Sequence, residues 1–267
     1  MGEGSAAIGR TVRAGLAGWA PNLRTCGAAL VAGALVGLLL PRALPPAMAF
    51  LGLPLEFAAT TLAYGALYRA AFAGPTGWKG LRWGVEEWRL LAVQALTTVI
   101  LTVVAFVLAI LVGAVVVGVA KSNDPNLDIT SLDAWRAALD GPGAIPAGLP
   151  PLLSAGVMIW LFLRLSLAPA ATIDLGKVQV LSAFGRTRGK VLLLAATGVV
   201  LAAPACILVV AIGYMRAIAG FSEGTLVPEL VSVALVFFYL IPVWTAALVD
   251  VYRHQPVPAP TLGTARS

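Results

Sequence analysis

Six long apolar runs alternate with short polar gaps along the chain, and charged residues are nearly absent from the runs. A membrane-crossing helix needs about 20 apolar residues, within a range of about 17 to 25. The runs lie at residues 23–40, 47–73, 88–120, 149–173, 191–216 and 226–252. They lack the alternation of barrel strands, so helices are the spanning form they predict. The third run, at about 1.5 Å per residue, exceeds a hydrocarbon core of about 30 Å and must tilt or project beyond it. The expected fold is all-α: a polytopic membrane helical bundle of six transmembrane helices. Residues 1–254 form a single membrane domain and 255–267 a disordered cytoplasmic tail.

A finer pattern precedes the first, third and fifth runs. Ile8–Asn22, Thr76–Arg89 and Lys177–Lys190 are short, basic and dotted with apolar residues. Ile8, Val12, Leu16 and Trp19 fall on one helical face of the first segment. The second sets Trp78, Leu81, Trp83 and Trp88 among Lys79, Arg82 and Arg89. The third sets Val178, Leu181 and Phe184 before Arg186, Arg188 and Lys190. Each reads as a short interfacial amphipathic helix with its cations toward anionic headgroups. The plainer alternative is an ordinary loop with snorkelling arginines and interfacial tryptophans.

Charge then orients the runs. Fourteen Lys and Arg fall in one set of alternate gaps and four (Arg42, Lys121, Arg136 and Arg216) in the other. The positive-inside rule makes the first set, with both termini, cytoplasmic. Composition agrees: of 267 residues, 60% are hydrophobic and 11% charged, against about 25% charged in soluble domains. The net charge of +6 is spread over several short segments, as topology determinants are, which argues against nucleic acid as a partner. Arg10, Arg13 and Arg24 precede the first run, but Pro41-Arg42 follows where a small-residue cleavage site would stand, so the run reads as a retained span. Cys26 and Cys206 both fall in apolar runs and read as buried thiols.

The segment from Lys121 to Gly148 is acidic. Asp124, Asn126 and Asp128 imitate the start of a calcium loop, but Ile129 stands at its glycine position and Trp135 at its twelfth. Thr130 and Asp133 instead suit the cap of a short surface helix carrying Leu132, Trp135 and Leu139.

Few residues carry chemistry. Glu56 and Arg164 should both sit near mid-membrane, where a lone charge costs about 2.5 to 3.5 kcal/mol. A pair between them would resolve that cost; the alternatives are Glu56 bonded locally toward Thr60 and Arg164 snorkelling inward. Pro54, Pro169, Pro204 and Pro242 fall within four of the runs and favour kinks. Gly33 and Gly37 form a GxxxG pattern that permits close helix approach. The adjacent Glu86 and Glu87 read as partners for Arg82 and Arg89. His254 is the one histidine, so a histidine-dependent triad and a multi-histidine zinc site are excluded. There is no phosphate-binding glycine loop, no C-x-x-C and no H-E-x-x-H. The expectation is no catalytic residue, no metal and no cofactor.

Three stretches together resemble a known family. They are Leu81-Arg82-Trp83-Gly84 with Glu87-Trp88-Arg89, then Arg164-Leu165-Ser166-Leu167-Ala168-Pro169-Ala170, then Ser182-Ala183-Phe184-Gly185-Arg186-Thr187-Arg188-Gly189. Val251-Tyr252-Arg253 is similar as well. The chain resembles the membrane domain of bacterial glycerophosphodiester phosphodiesterases and its stand-alone, uncharacterised six-span relatives. The resemblance implies a bacterial inner-membrane location. In fused members a soluble catalytic barrel follows the membrane domain. This sequence runs only 15 residues past the last run, so hydrolysis, which belongs to that barrel, is not expected here. The expected function is non-enzymatic: organising or sensing lipid at the cytoplasmic leaflet, or assisting a membrane partner. The alternative is a small transporter or lipid-moving protein built on kinked helices around Glu56 and Arg164.

Overall fold

The computed structural model describes residues 2–74, 77–125, 144–219 and 227–255, and over these the protein is helical. The order is α1 (Gly2–Ala43), a 3-10 turn (Pro46–Leu51), α2 (Gly52–Phe72), α3 (Val85–Asn123), α4 (Ala144–Leu165), α5 (Ala168–Leu175), α6 (Ser182–Arg186), α7 (Val191–Ala219), α8 (Val227–Leu235), a π turn (Val236–Leu240) and α9 (Ile241–Arg253). Five stretches are long and apolar enough to cross a membrane: Gly4–Leu39, Val85–Asn123, Ile145–Leu175, Val191–Met215 and Pro228–Arg253. The chain is a multi-pass helical membrane protein. The short acidic surface helix expected around Thr130 lies outside the described residues, as does the tail from residue 256.

α2 is not among the five, because Glu56, Thr60, Thr61, Tyr64, Tyr68 and Arg69 dilute its apolar character. It lies at the centre of the bundle, with Thr61, Ala63, Gly65, Ala66, Leu67, Tyr68 and Arg69 all buried. Gly33 of α1 sits against the Ala59 carbonyl, and Gly80 touches both Cys26 and Ala66, so α1 and α2 run antiparallel. Thr61 bonds Gln94 and Arg69 pairs with Glu87, so α2 and α3 are antiparallel too. α5 and α9 close the remaining sides of α2.

The first helix corrects the expectation of a separate interfacial segment. Residues 8–22 continue without interruption into one rod of 42 residues, about 63 Å long. Small residues are the reason. A Cβ on Gly15 would stand 3.0 Å from the Val243 carbonyl oxygen and 3.1 Å from Leu201 Cδ1, and one on Gly18 would stand 2.6 Å from Ala246 Cβ. These close approaches lay the basic N-terminal half of α1 along α7 and α9.

The other two expected interfacial helices also differ. Residues 77–84 form a tight turn in which Leu81 N–H bonds the Trp78 carbonyl at 3.0 Å, and Gly77, Lys79 and Gly80 all have positive φ. That backbone excludes a helix, and α3 starts only at Val85. In Lys177–Lys190 the helical part is the five residues of α6.

The prolines divide into two groups. Pro54 and Pro169 stand in the first turns of α2 and α5, where a missing N–H is tolerated, so they begin helices and do not kink them. Pro169 follows a break at Ser166-Leu167 that splits the expected fourth span. Pro204 is inside α7. Pro242 follows the π turn, in which Ile241 N–H bonds the Val236 carbonyl. Pro242 has no N–H for the Phe238 carbonyl. The Trp19 indole N–H takes that place at 2.6 Å, and Asn22 Nδ2 bonds the Pro242 carbonyl at 3.1 Å. The defect in the last helix is thus satisfied by the first. Gly33 and Gly37, the GxxxG pair, both face the Phe237 ring of the same π turn.

Candidate functional site

Among the described residues, Arg10, Arg69, Arg164, Arg186, Lys190 and Arg253 take part in three arrangements at one end of the bundle. In the first, Arg69 and Glu87 form a wholly buried ion pair. Arg69 Nη2 also donates to the Gly80 carbonyl at 2.9 Å, and Glu87 Oε2 accepts from Gly84 N–H at 2.7 Å. Gly65 leaves the space, since a Cβ there would stand 2.6 Å from Glu87 Oε1. The pair therefore pins the 77–84 turn onto α2 and α3. The expected partners of Glu87, Arg82 and Arg89, do not hold it. Arg89 instead lies against Gly176, which ends α5 in the left-handed conformation, and Arg82 is exposed.

The second arrangement fastens the 177–190 segment. Arg164 ends α4, Nη1 donates to the Phe184 carbonyl at 2.9 Å, and its guanidinium lies over the Trp160 and Phe184 rings. The buried Thr187 hydroxyl lies 3.1 Å from the Arg164 carbonyl and 2.9 Å from that of Ala183. Arg186 lies over the Tyr252 ring, and the Tyr252 hydroxyl donates to Asp174 at 2.6 Å. Arg253 bonds the Ala71 carbonyl and lies over Phe72. The third arrangement centres on Asp250, which accepts from Thr11 at 3.1 Å and faces Arg10 at 3.6 Å and His254 at 3.3 Å. Lys190 Nζ lies 3.5 Å from the His254 carbonyl. Burial, and then the nearby Arg10, hold the Lys190 ammonium below its ordinary value, against a smaller pull from Asp250.

Glu56 and Arg164 are not brought together. Glu56 lies exposed in the first turn and a half of α2, where its carbonyl accepts from Thr60. Arg164 is occupied by Phe184 at the basic end. The break after Leu165 is the physical reason: it puts Arg164 at a helix end, not mid-span. Cys26 is buried as expected, whereas Cys206 is exposed on the outer surface of α7.

Trp78, Lys79, Arg82, Trp83 and Trp88 remain on the surface, as do Lys177 and Arg188. Lys79 Nζ stands 6.0 Å from the Trp78 ring centre. These two residues overhang a groove of about 770 Å³ on α1. Arg24 shares its upper end with them, and Gly27, Ala28, Val31 and Leu35 extend it along the apolar part of the helix. The small residues Gly27 and Ala28 leave the groove open, and Lys79, at positive φ, lines its rim.

Neither Arg69–Glu87 nor the groove was read from the sequence, although a signal for the pair existed. Glu87, Gln94 and Thr97 recur at helical spacing and form, with the buried Leu90 among them, the face that α3 turns toward Thr61, Tyr68 and Arg69.

No family model, curated protein or solved structure matches the chain.

Proposed function

We propose that this protein binds anionic phospholipid at the cytoplasmic leaflet of a bacterial inner membrane and organises or senses lipid there without catalysing a reaction. The observation that carries the reading is the α1 groove, with Arg24 and Lys79 at its head and an apolar floor below. That division of charge matches a phosphate above an acyl chain. Trp78, amphipathic and exposed, suits the headgroup boundary. The reading takes all six helical rods as spans. α2 supports this by lying antiparallel between α1 and α3, with 21 residues that reach about 31 Å. Fourteen of the 18 Lys and Arg then fall on the cytoplasmic side, together with both termini. The family resemblance belongs to the same proposal. Arg164, Phe184, Arg186, Thr187, Tyr252 and Arg253, which carry it, converge on one end of the bundle.

The test is lipid binding by the purified full chain in nanodiscs containing phosphatidylglycerol or phosphatidylcholine, read by native mass spectrometry. Each cation near a headgroup contributes about 1 kcal/mol. Arg24→Gln with Lys79→Gln should therefore weaken the anionic adduct about thirtyfold, and salt should weaken it in the parent. Adducts indifferent to headgroup charge would remove the basis of the proposal.

A further inference from the structure

A second cavity lies inside the bundle, between α2, α3, α4, α5 and α9. It holds about 130 Å³, and every side chain lining it is uncharged. Apolar groups dominate the lining, but Tyr68, Gln94, Thr97 and Ser166 add hydrogen-bonding atoms. Tyr68 is wholly buried, and its hydroxyl has no hydrogen-bond partner among the described residues. A buried hydroxyl left in this state is unfavourable, and native structures normally provide it with a partner. Thr61 donates to Gln94 Oε1, which leaves the amide nitrogen of Gln94 as a further donor.

Three features narrow what the partner is. The cavity has no cation, so a phosphate or carboxylate there would be buried bare. Its rim reaches the outside of the bundle at Phe162, which is half exposed on the apolar surface of α4, so entry is from hydrocarbon and not from water. Tyr68 stands four residues before Phe72, the end of α2, or about 6 Å from the basic end, the depth at which a lipid's polar end meets its chain. The volume equals about four waters at about 30 Å³ each, room for a hydroxyl and its first carbons while the rest of a chain lies along the rim.

We infer that this cavity receives the hydroxyl end of an uncharged lipid, which enters sideways from the bilayer and bonds the Tyr68 hydroxyl. The inference uses the membrane-spanning bundle but not the anionic groove. A long-chain alcohol and a diacylglycerol share this chemistry. Thermal unfolding of the full chain in micelles should be followed with 1-dodecanol, dioctanoylglycerol, dodecane or dodecanoate added. Dodecanol, dioctanoylglycerol or both should raise the parent's melting temperature saturably, by several degrees, and which of them does so identifies the source. Dodecane and dodecanoate should not. In Tyr68→Phe the alcohol should be needed at tenfold or higher concentration, while the ligand-free protein keeps or gains stability, because the deleted hydroxyl had no partner. Equal responses to dodecane and dodecanol, a cavity that holds water only and ignores every additive, or a ligand-free Tyr68→Phe protein less stable than the parent would each overturn the inference.

Discussion

Glu87→Gln tests the architecture of the basic end most directly. The substitution keeps the shape of the side chain and one acceptor for Gly84 N–H, but it takes the carboxylate charge away from the buried Arg69 guanidinium. Removing one partner of a buried pair costs about 3–5 kcal/mol. Arg69 keeps its bond to the Gly80 carbonyl, so the lower figure, about 3 kcal/mol, is expected. Replacing both residues by Met removes both buried charges. It gives up the bonds to Gly80 and Gly84, at about 1 kcal/mol each, against the desolvation of two ions no longer incurred. The double variant should therefore be more stable than either single one, with a coupling above about 2 kcal/mol. Denaturation in mixed micelles, followed by tryptophan fluorescence, supplies the cycle. Additive single losses, or a Glu87→Gln cost below about 1 kcal/mol as for exposed pairs, would refute the reasoning.

Two further outcomes follow from packing and charge. Gly33→Leu should destabilise the bundle by about 1–3 kcal/mol, because even a Cβ there stands 2.7 Å from the Phe237 ring and 2.9 Å from the Ala59 carbonyl; the same micelle assay reads it, and an unchanged midpoint would contradict the contact. Lys190 has its folded-state value lowered, so its charged form is disfavoured by folding. That penalty is fully present below the lowered value and disappears as pH rises through it to the ordinary lysine range. Lys190→Gln should accordingly stabilise the protein near pH 7, with the advantage shrinking toward zero as pH approaches about 10.5; an advantage that grows with pH would show the sign to be wrong.

The apolar rods were legible because hydrocarbon sets their length. Val191–Ala219 and Val85–Asn123 begin and end within three residues of the runs that predict them. What hydropathy did not show was how backbone polar groups are satisfied. The run at 149–173 contains no charge before Arg164, so its break at Ser166-Leu167 leaves no mark in an apolar count. The fate of Arg164 depends on that break. The segment 8–22 has helical periodicity at both its basic and its apolar positions, and periodicity is blind to whether lipid headgroups or α7 and α9 receive the apolar face. Gly15 and Gly18 decide it by allowing contact. The turn at 77–84 was missed because Trp78, Leu81 and Trp88 suggest amphipathicity, whereas Gly77 and Gly80 with Lys79 fix a left-handed path. Arg69 looked like one topology cation among many because its partner lies 18 residues away.

The Trp19 bond to the Phe238 carbonyl has a consequence for biogenesis. α1, which carries the donor, is translated well before the rod that carries the acceptor proline left bare. Until Phe238 and Pro242 have been inserted, Trp19 and Asn22 lack these partners, and a fragment ending before Phe238 leaves both bonds unmade. A membrane protease would meet such fragments with α1 still unlatched, so this one contact distinguishes a bundle that has received α9 from one that has not.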